Sequence, residues 1–254
     1  MILAVLASAV SPGSAQDHLT PDRAAYFHAA EYPKPYLLKV GHVFSQAFED
    51  GVALRAITLH SRRIVDGEVC VGITMKEGQA EAFLLEPTSS LLLSQSLEDC
   101  RDSIDAHKED GTAVPRHLLD RLEYLTKKKA EDFRKIKATR RSRPVPGPLA
   151  DEIRSLWERM LLETKHPKTP GRGLDGITYY FSAWVRGYGE ISGQVWSPKE
   201  GSKAEKLTRL AKAIGDYAGG KIELRQLQES SAQARAAILS DPAAPTPSPR
   251  PSVQ

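Results

Sequence analysis

Apolar positions along this chain change period several times, and each change predicts an element. Between Val52 and Met75 the spacing is that of strands, with Val69, Val71 and Ile73 at every second position. The dipeptide Asp66-Gly67, a tight-turn signal, separates a run from Val52 to Val65 from a run from Glu68 to Met75. Lys76-Glu77-Gly78-Gln79 turns the chain again into Ala80 to Glu86, completing a three-stranded antiparallel meander. From about Ser89 to His107 the period lengthens to that of a helix, with Leu93, Leu97, Cys100 and Ile104 along one stripe.

Helical stripes return later in the chain. Leu149, Ile153, Leu156, Trp157, Met160 and Leu161 share a face, which makes Trp157 a core residue. Ala204, Leu207, Leu210, Ala211, Ile214 and Tyr217 form another stripe, closed by Gly219-Gly220. Ser197-Pro198-Lys199-Glu200 and Ser202-Lys203-Ala204-Glu205 both have capping-box spacing, so this helix starts at one of them. A last helix, Lys221 to Leu239, is more polar.

Between these helices lies the most patterned stretch, GLDGITYYFSAWVRGYGEISGQVWSP, from Gly173 to Pro198. With Gly187-Tyr188-Gly189 as a three-residue connection, Arg186 faces Glu190, Trp184 faces Ser192, Ser182 faces Gln194 and Tyr180 faces Trp196. Val185, Ala183 and Phe181 then oppose Ile191, Gly193 and Val195, so one side of the hairpin is apolar and the other polar-aromatic. The helix from Ala204 to Tyr217 is expected on the apolar side.

Elsewhere the pattern is weaker. Thr20-Pro21-Asp22 reads as a helix start running to Ala30, and Tyr36 to Phe44 reads as extended. Leu118, Leu122, Leu125, Phe133 and Ile136 predict a long helix over Pro115 to Ser142. Arg143-Pro144-Val145-Pro146-Gly147-Pro148 breaks it and is the best internal boundary. The expected organisation is therefore a leader at 1–16, a meander-helix part at 17–114, a basic amphipathic helix at 115–143, a helix-hairpin-helix part at 144–220, a polar helix at 221–240 and a disordered Pro-rich tail at 241–254.

Composition narrows the function. With 254 residues, 41% hydrophobic and 26% charged, the chain can bury a sizeable core. Its 35 basic and 32 acidic residues are too balanced for a dedicated polyanion binder, so such a role would need a local patch. One candidate exists in Lys127, Lys128, Lys129, Arg134, Lys135, Lys137, Arg140, Arg141 and Arg143. The competing reading is a solvated helix face, and without nucleic-acid signatures or interleaved aromatics beyond Phe133, nucleic acid is disfavoured.

The apolar run from Ile2 to Val10, followed by Ser11-Pro12-Gly13 and the small residues to Ala15, has the grammar of a signal peptide and predicts a periplasmic or secreted protein. No run is long enough for a transmembrane helix. Cys70 and Cys100 are a disulfide candidate in that compartment, against the alternative of two separate buried thiols.

Catalytic and cofactor motifs are missing from the sequence. The seven histidines are scattered without metal-ligand spacing, and HPKTPGRGLDG precedes a strand rather than a helix, unlike a phosphate loop. No cofactor is expected. The candidate ligand-binding residues are Tyr180, Trp184, Arg186, Gln194 and Trp196 on the polar-aromatic side, with Asp175 at its entry. Flat aromatic surfaces beside hydrogen-bonding groups suit an envelope glycan or a protein; the alternative is a face covered by packing.

The sequence thus predicts an α+β protein: an antiparallel sheet, made of the three-stranded meander plus a second hairpin, with helices packed on one face. Its expected role is that of an exported, non-catalytic binding or envelope-associated module. The alternatives are a hydrolase using Asp175, Trp184 and Trp196, with Glu190 as partner carboxylate, and an anionic-polymer or lipid-surface binder acting through the basic helix.

Overall fold

The structure, a computed structural model, describes residues 17–21, 35–60, 67–165 and 176–240. The leader, the helix expected at 22–30, the Asp66 turn position, Asp175 and the tail at 241–254 lie outside those residues.

The alternating runs fold as strands. β2 (Val52–His60), β3 (Val69–Lys76) and β4 (Gln79–Pro87) make the expected meander, with Arg55 opposite Gly72 and Gly72 opposite Phe83. The second hairpin, β6 (Ile177–Val185) and β7 (Gly189–Trp196), does not stand apart. β6 pairs with β2, placing Phe181 opposite Ala56 and Ser182 opposite Arg55. Two further strands, β1 (Thr20–Pro21) beside β7 and β5 (Ala138–Val145) beside β4, complete an antiparallel sheet in the order β1-β7-β6-β2-β3-β4-β5.

Period two gives this sheet two faces. Leu54, Ala56, Val71, Ile73, Leu84, Phe181 and Val195 point to one, which is covered by α4 (Gly147–Leu162), α5 (Lys203–Ala218) and α6 (Leu224–Leu239). Every residue of the two stripes expected for α4 and α5 is buried, and Trp157 meets Phe181 edge-on at 5.1 Å. Ser202 caps α5 by accepting the Glu205 amide at 3.2 Å. α4 covers the hairpin, whereas α5, expected there, lies on β3 and β4. α6 docks through Leu227, Ala234 and Ile238.

The second face also carries helices, over half its width. α1 (Pro35–Val43), a 3-10 turn at Ser45–Phe48, the start of α2 (Leu91–Glu109) and a 3-10 turn at Phe133–Lys135 close a core around Phe44, Cys70, Phe83 and Leu85. Here Gly72 is required, because a Cβ at that position would lie 2.6 Å from the Phe83 ring and 2.2 Å from the Leu54 carbonyl. α2 runs on to pair with α3 (Arg116–Lys127) around Leu97, Cys100, Ile104 and Leu125.

Four further expectations are corrected. Tyr36 to Phe44 is helical, because Leu37, Val40 and Phe44 bury one helical stripe against the sheet. Thr20 and Pro21 pair with Gln194 and Gly193 on β7 instead of starting a helix.

The long basic helix is really three pieces: α3, a 3-10 turn and β5. Lys129 ends the helical path in the left-handed region at φ 56°, and Ala138 to Val145 extend along β4. Pro144 sits within β5 opposite Glu81, so Arg143 to Pro148 joins strand to helix inside one shared core.

The fourth correction is the disulfide. Cys70 and Cys100 are free buried thiols in different clusters, since the stripe carrying Cys100 faces α3 rather than the sheet. The Cys100 thiol donates to the Leu118 carbonyl at 3.4 Å.

Candidate functional site

The half of the second face that no described helix covers belongs to β6 and β7, and their register decides what it displays. The pairs are Trp184 with Glu190, Ser182 with Ser192, Tyr180 with Gln194 and Thr178 with Trp196. Relative to the expected pairing each partner is shifted by two residues, so Arg186 does not face Glu190. The cause is the turn: Tyr188 donates to the Val185 carbonyl at 3.0 Å, and Gly187 takes the φ of 89° that this tight connection needs. A shift of two preserves faces, and the expected polar-aromatic set remains on one side.

That set divides into separate parts. Trp184 and Trp196 belong to pairs six residues apart along β6, about 20 Å at strand spacing, and do not form one patch. Trp196 is 38% exposed and leans over Gly176. Tyr180 is half-buried against the α1 core, and its partner Gln194 gives its carbonyl to the Thr20 hydroxyl at 3.0 Å. Trp184, at 61%, and Tyr188 in the turn, at 71%, are the most exposed large apolar side chains described, and Arg186 is exposed beside them.

At Trp184 the sheet meets the end of the 3-10 turn, and a cleft of about 360 Å³ opens between them. Its walls include Phe48, Glu49, Asp50, Arg55, Trp184 and Glu190. Arg55 is the organising residue. Only 9% exposed, it crosses from β2 to an ion pair with Glu190 on β7, donates to the Ala47 carbonyl at 3.2 Å and stacks on Phe48 at 4.0 Å. A desolvated guanidinium with three kinds of partner is held in one position. Glu190 is thereby committed to an ion pair.

Glu49 and Asp50 stand exposed at the mouth and make no ion pair with any described residue. A smaller cleft of about 200 Å³ adjoins them, where Lys76, Glu81 and Arg140 come in from β3, β4 and β5. Arg140 repeats the stacking of Arg55, lying 4.6 Å over the Phe83 ring. Among the described residues no group of three or more His, Cys, Asp or Glu is placed to hold a metal ion.

Sequence reasoning found Trp184 and missed Phe48, Glu49, Asp50 and Arg55. One signal was present, a charged Arg55 amid Leu54, Ala56 and Ile57 in a strand otherwise buried on both faces.

The basic residues are spread over α3, the second 3-10 turn and β5. Arg141 pairs with Glu86 at 3.1 Å, while Arg143 donates to the Ile222 carbonyl at 3.1 Å and stacks on Tyr217. Lys127, Lys128 and Lys129 end α3 and the turn after it; Arg134, Lys135 and Lys137 are exposed near the second 3-10 turn. Arg and Pro along β5 are the composition by which an edge strand resists unwanted pairing.

Among the described residues, no helix is long and apolar enough to cross a membrane. No family model, no curated protein and no solved structure matches this chain, so the cleft and its neighbours have to speak for the function.

Proposed function

We propose that this protein is a non-catalytic binding module that takes a polypeptide segment at the Trp184 cleft. One observation carries the reading: a tryptophan 61% exposed stands at the mouth of a cleft where the buried Arg55 is held in an ion pair with the more exposed Glu190. An exposed aromatic on a rigid strand, beside fixed polar groups, supplies contact area at little entropic cost, as binding hot spots do. A catalytic use of Glu190 finds no support, because its carboxylate neutralises Arg55.

Selection of peptides from a random display library on the full chain and on Trp184→Ala tests this. Sequences enriched on the wild type and lost on the variant are the expected result. Equal enrichment on both, or none on either, removes the cleft as a binding site.

A further inference from the structure

The charge of the cleft is opposite to that of the chain. The whole protein carries +3, yet the cleft is lined by three carboxylates, Glu49, Asp50 and Glu190, against one guanidinium, Arg55. Arg55 cancels Glu190, leaving Glu49 and Asp50 without a described ion-pair partner beside the exposed Trp184 ring. Lys76 and Arg140 line the adjoining cleft and face these carboxylates from the other side, with none of their nitrogens within ion-pair distance of either. Among the described residues these carboxylates belong to no group of three or more His, Cys, Asp or Glu that could hold a metal ion.

A ring face with carboxylates spread around it is complementary to a cation that is large, partly apolar and carried on a stem. Cation–π attraction holds such a group over the indole, and the carboxylates receive its N–H donors. We infer that the Trp184 cleft selects a lysine or arginine side chain of its partner polypeptide, seating the cation between Trp184 and the Glu49–Asp50 pair; this rests on the binding reading above. Arg55 then has a second role. By holding Glu190 it keeps that carboxylate fixed, and its own charge repels a basic group that goes deeper.

The test uses the full chain and two blocked pentapeptides of sequence Gly-Lys-Gly-Lys-Gly, one free and one with both lysines acetylated, while the Trp184 indole resonance is followed. The free peptide is expected to shift that resonance, the acetylated peptide far less. In a Glu49→Gln, Asp50→Asn double variant the affinity for the free peptide is expected to fall about fivefold, the scale of one or two exposed ion pairs. Added salt should weaken binding in the wild type and have less effect in the double variant. Equal shifts with both peptides overturn cation selection and leave the binding module standing. No shift with either overturns cation selection, while the display experiment decides the binding module separately. A free-peptide shift that survives the double variant unchanged also overturns the assignment to Glu49 and Asp50.

Discussion

Tyr36 on α1 donates its hydroxyl to the carboxylate of Glu68, 3.2 Å away and 1% exposed. The same carboxylate receives the amides of Leu91 at 3.0 Å and Leu92 at 2.9 Å, at the first turn of α2. Orphan donors of a helix N-terminus and a buried anion satisfy each other here, and a tyrosine from a third element closes the set. Glu68→Gln keeps one acceptor and loses the charge; it is expected to cost about 2 kcal/mol, and Glu68→Ala more, because buried amides are left unpaired. Urea unfolding midpoints of the two variants check this.

Alkaline pH is expected to destabilise the fold earlier than its surface charges would. Burial, then the Glu68 charge and hydrogen bond, hold the Tyr36 phenol well above its ordinary range, and burial pushes the Cys70 thiol up to about 12. Both groups have folded values raised above the unfolded ones, near 9 for thiol and 10 for phenol. Their contribution is therefore fully present at lower pH and is lost as pH rises from about 9 towards the folded values. Unfolding midpoints measured across that window should decline, and Tyr36→Phe should decline less steeply.

Neither thiol is expected to react in the native protein. Cys70 and Cys100 are buried in separate clusters, so a thiol reagent should reach neither at neutral pH and both after denaturation. Mass should not change on reduction. A gain of two hydrogens would mean a bonded pair and would displace α2 from its present position.

The three tryptophans should separate by environment. Trp157 is fully buried, Trp184 is exposed and Trp196 lies between. Trp184→Phe is expected to remove most of the emission reached by a neutral quencher, and Trp184→Ala to change stability by less than about 0.5 kcal/mol. By contrast, Phe181→Ala, which empties space under Trp157, should cost about 3 to 5 kcal/mol.

These expectations depend on elements that were unequally legible in the sequence. α4 and α5 were plain, because a stripe such as Leu149 to Leu161 and a cap such as Ser202 state the same helix twice. β5 was hidden. Its faces pair Arg140 and Ser142 against Arg141 and Arg143, and an edge strand with solvent on its outer side has no apolar alternation to show. Phe133 and Ile136 continued the α3 spacing by coincidence, although a 3-10 turn buries them.

The polar-aromatic side of the hairpin was legible, since period two survives a register shift of two residues. The cleft was not, because Phe48 and Arg55 reach Trp184 only through the pairing of β2 with β6, which no local pattern announces.

That pairing has a kinetic meaning. The β2–β3–β4 meander and the β6–β7 hairpin are each built from neighbours in the chain, whereas the β2–β6 seam joins Arg55 to Ser182 across more than a hundred residues. Loop closure of that length is slow, so the two halves of the sheet are expected to form first and to zip together last. The Arg55–Glu190 pair spans this seam, and the cleft comes into being at the moment of zipping. A partner that grips Trp184 on one side and Glu49 on the other would act as a clasp over the last joint of the molecule to close, slowing its reopening.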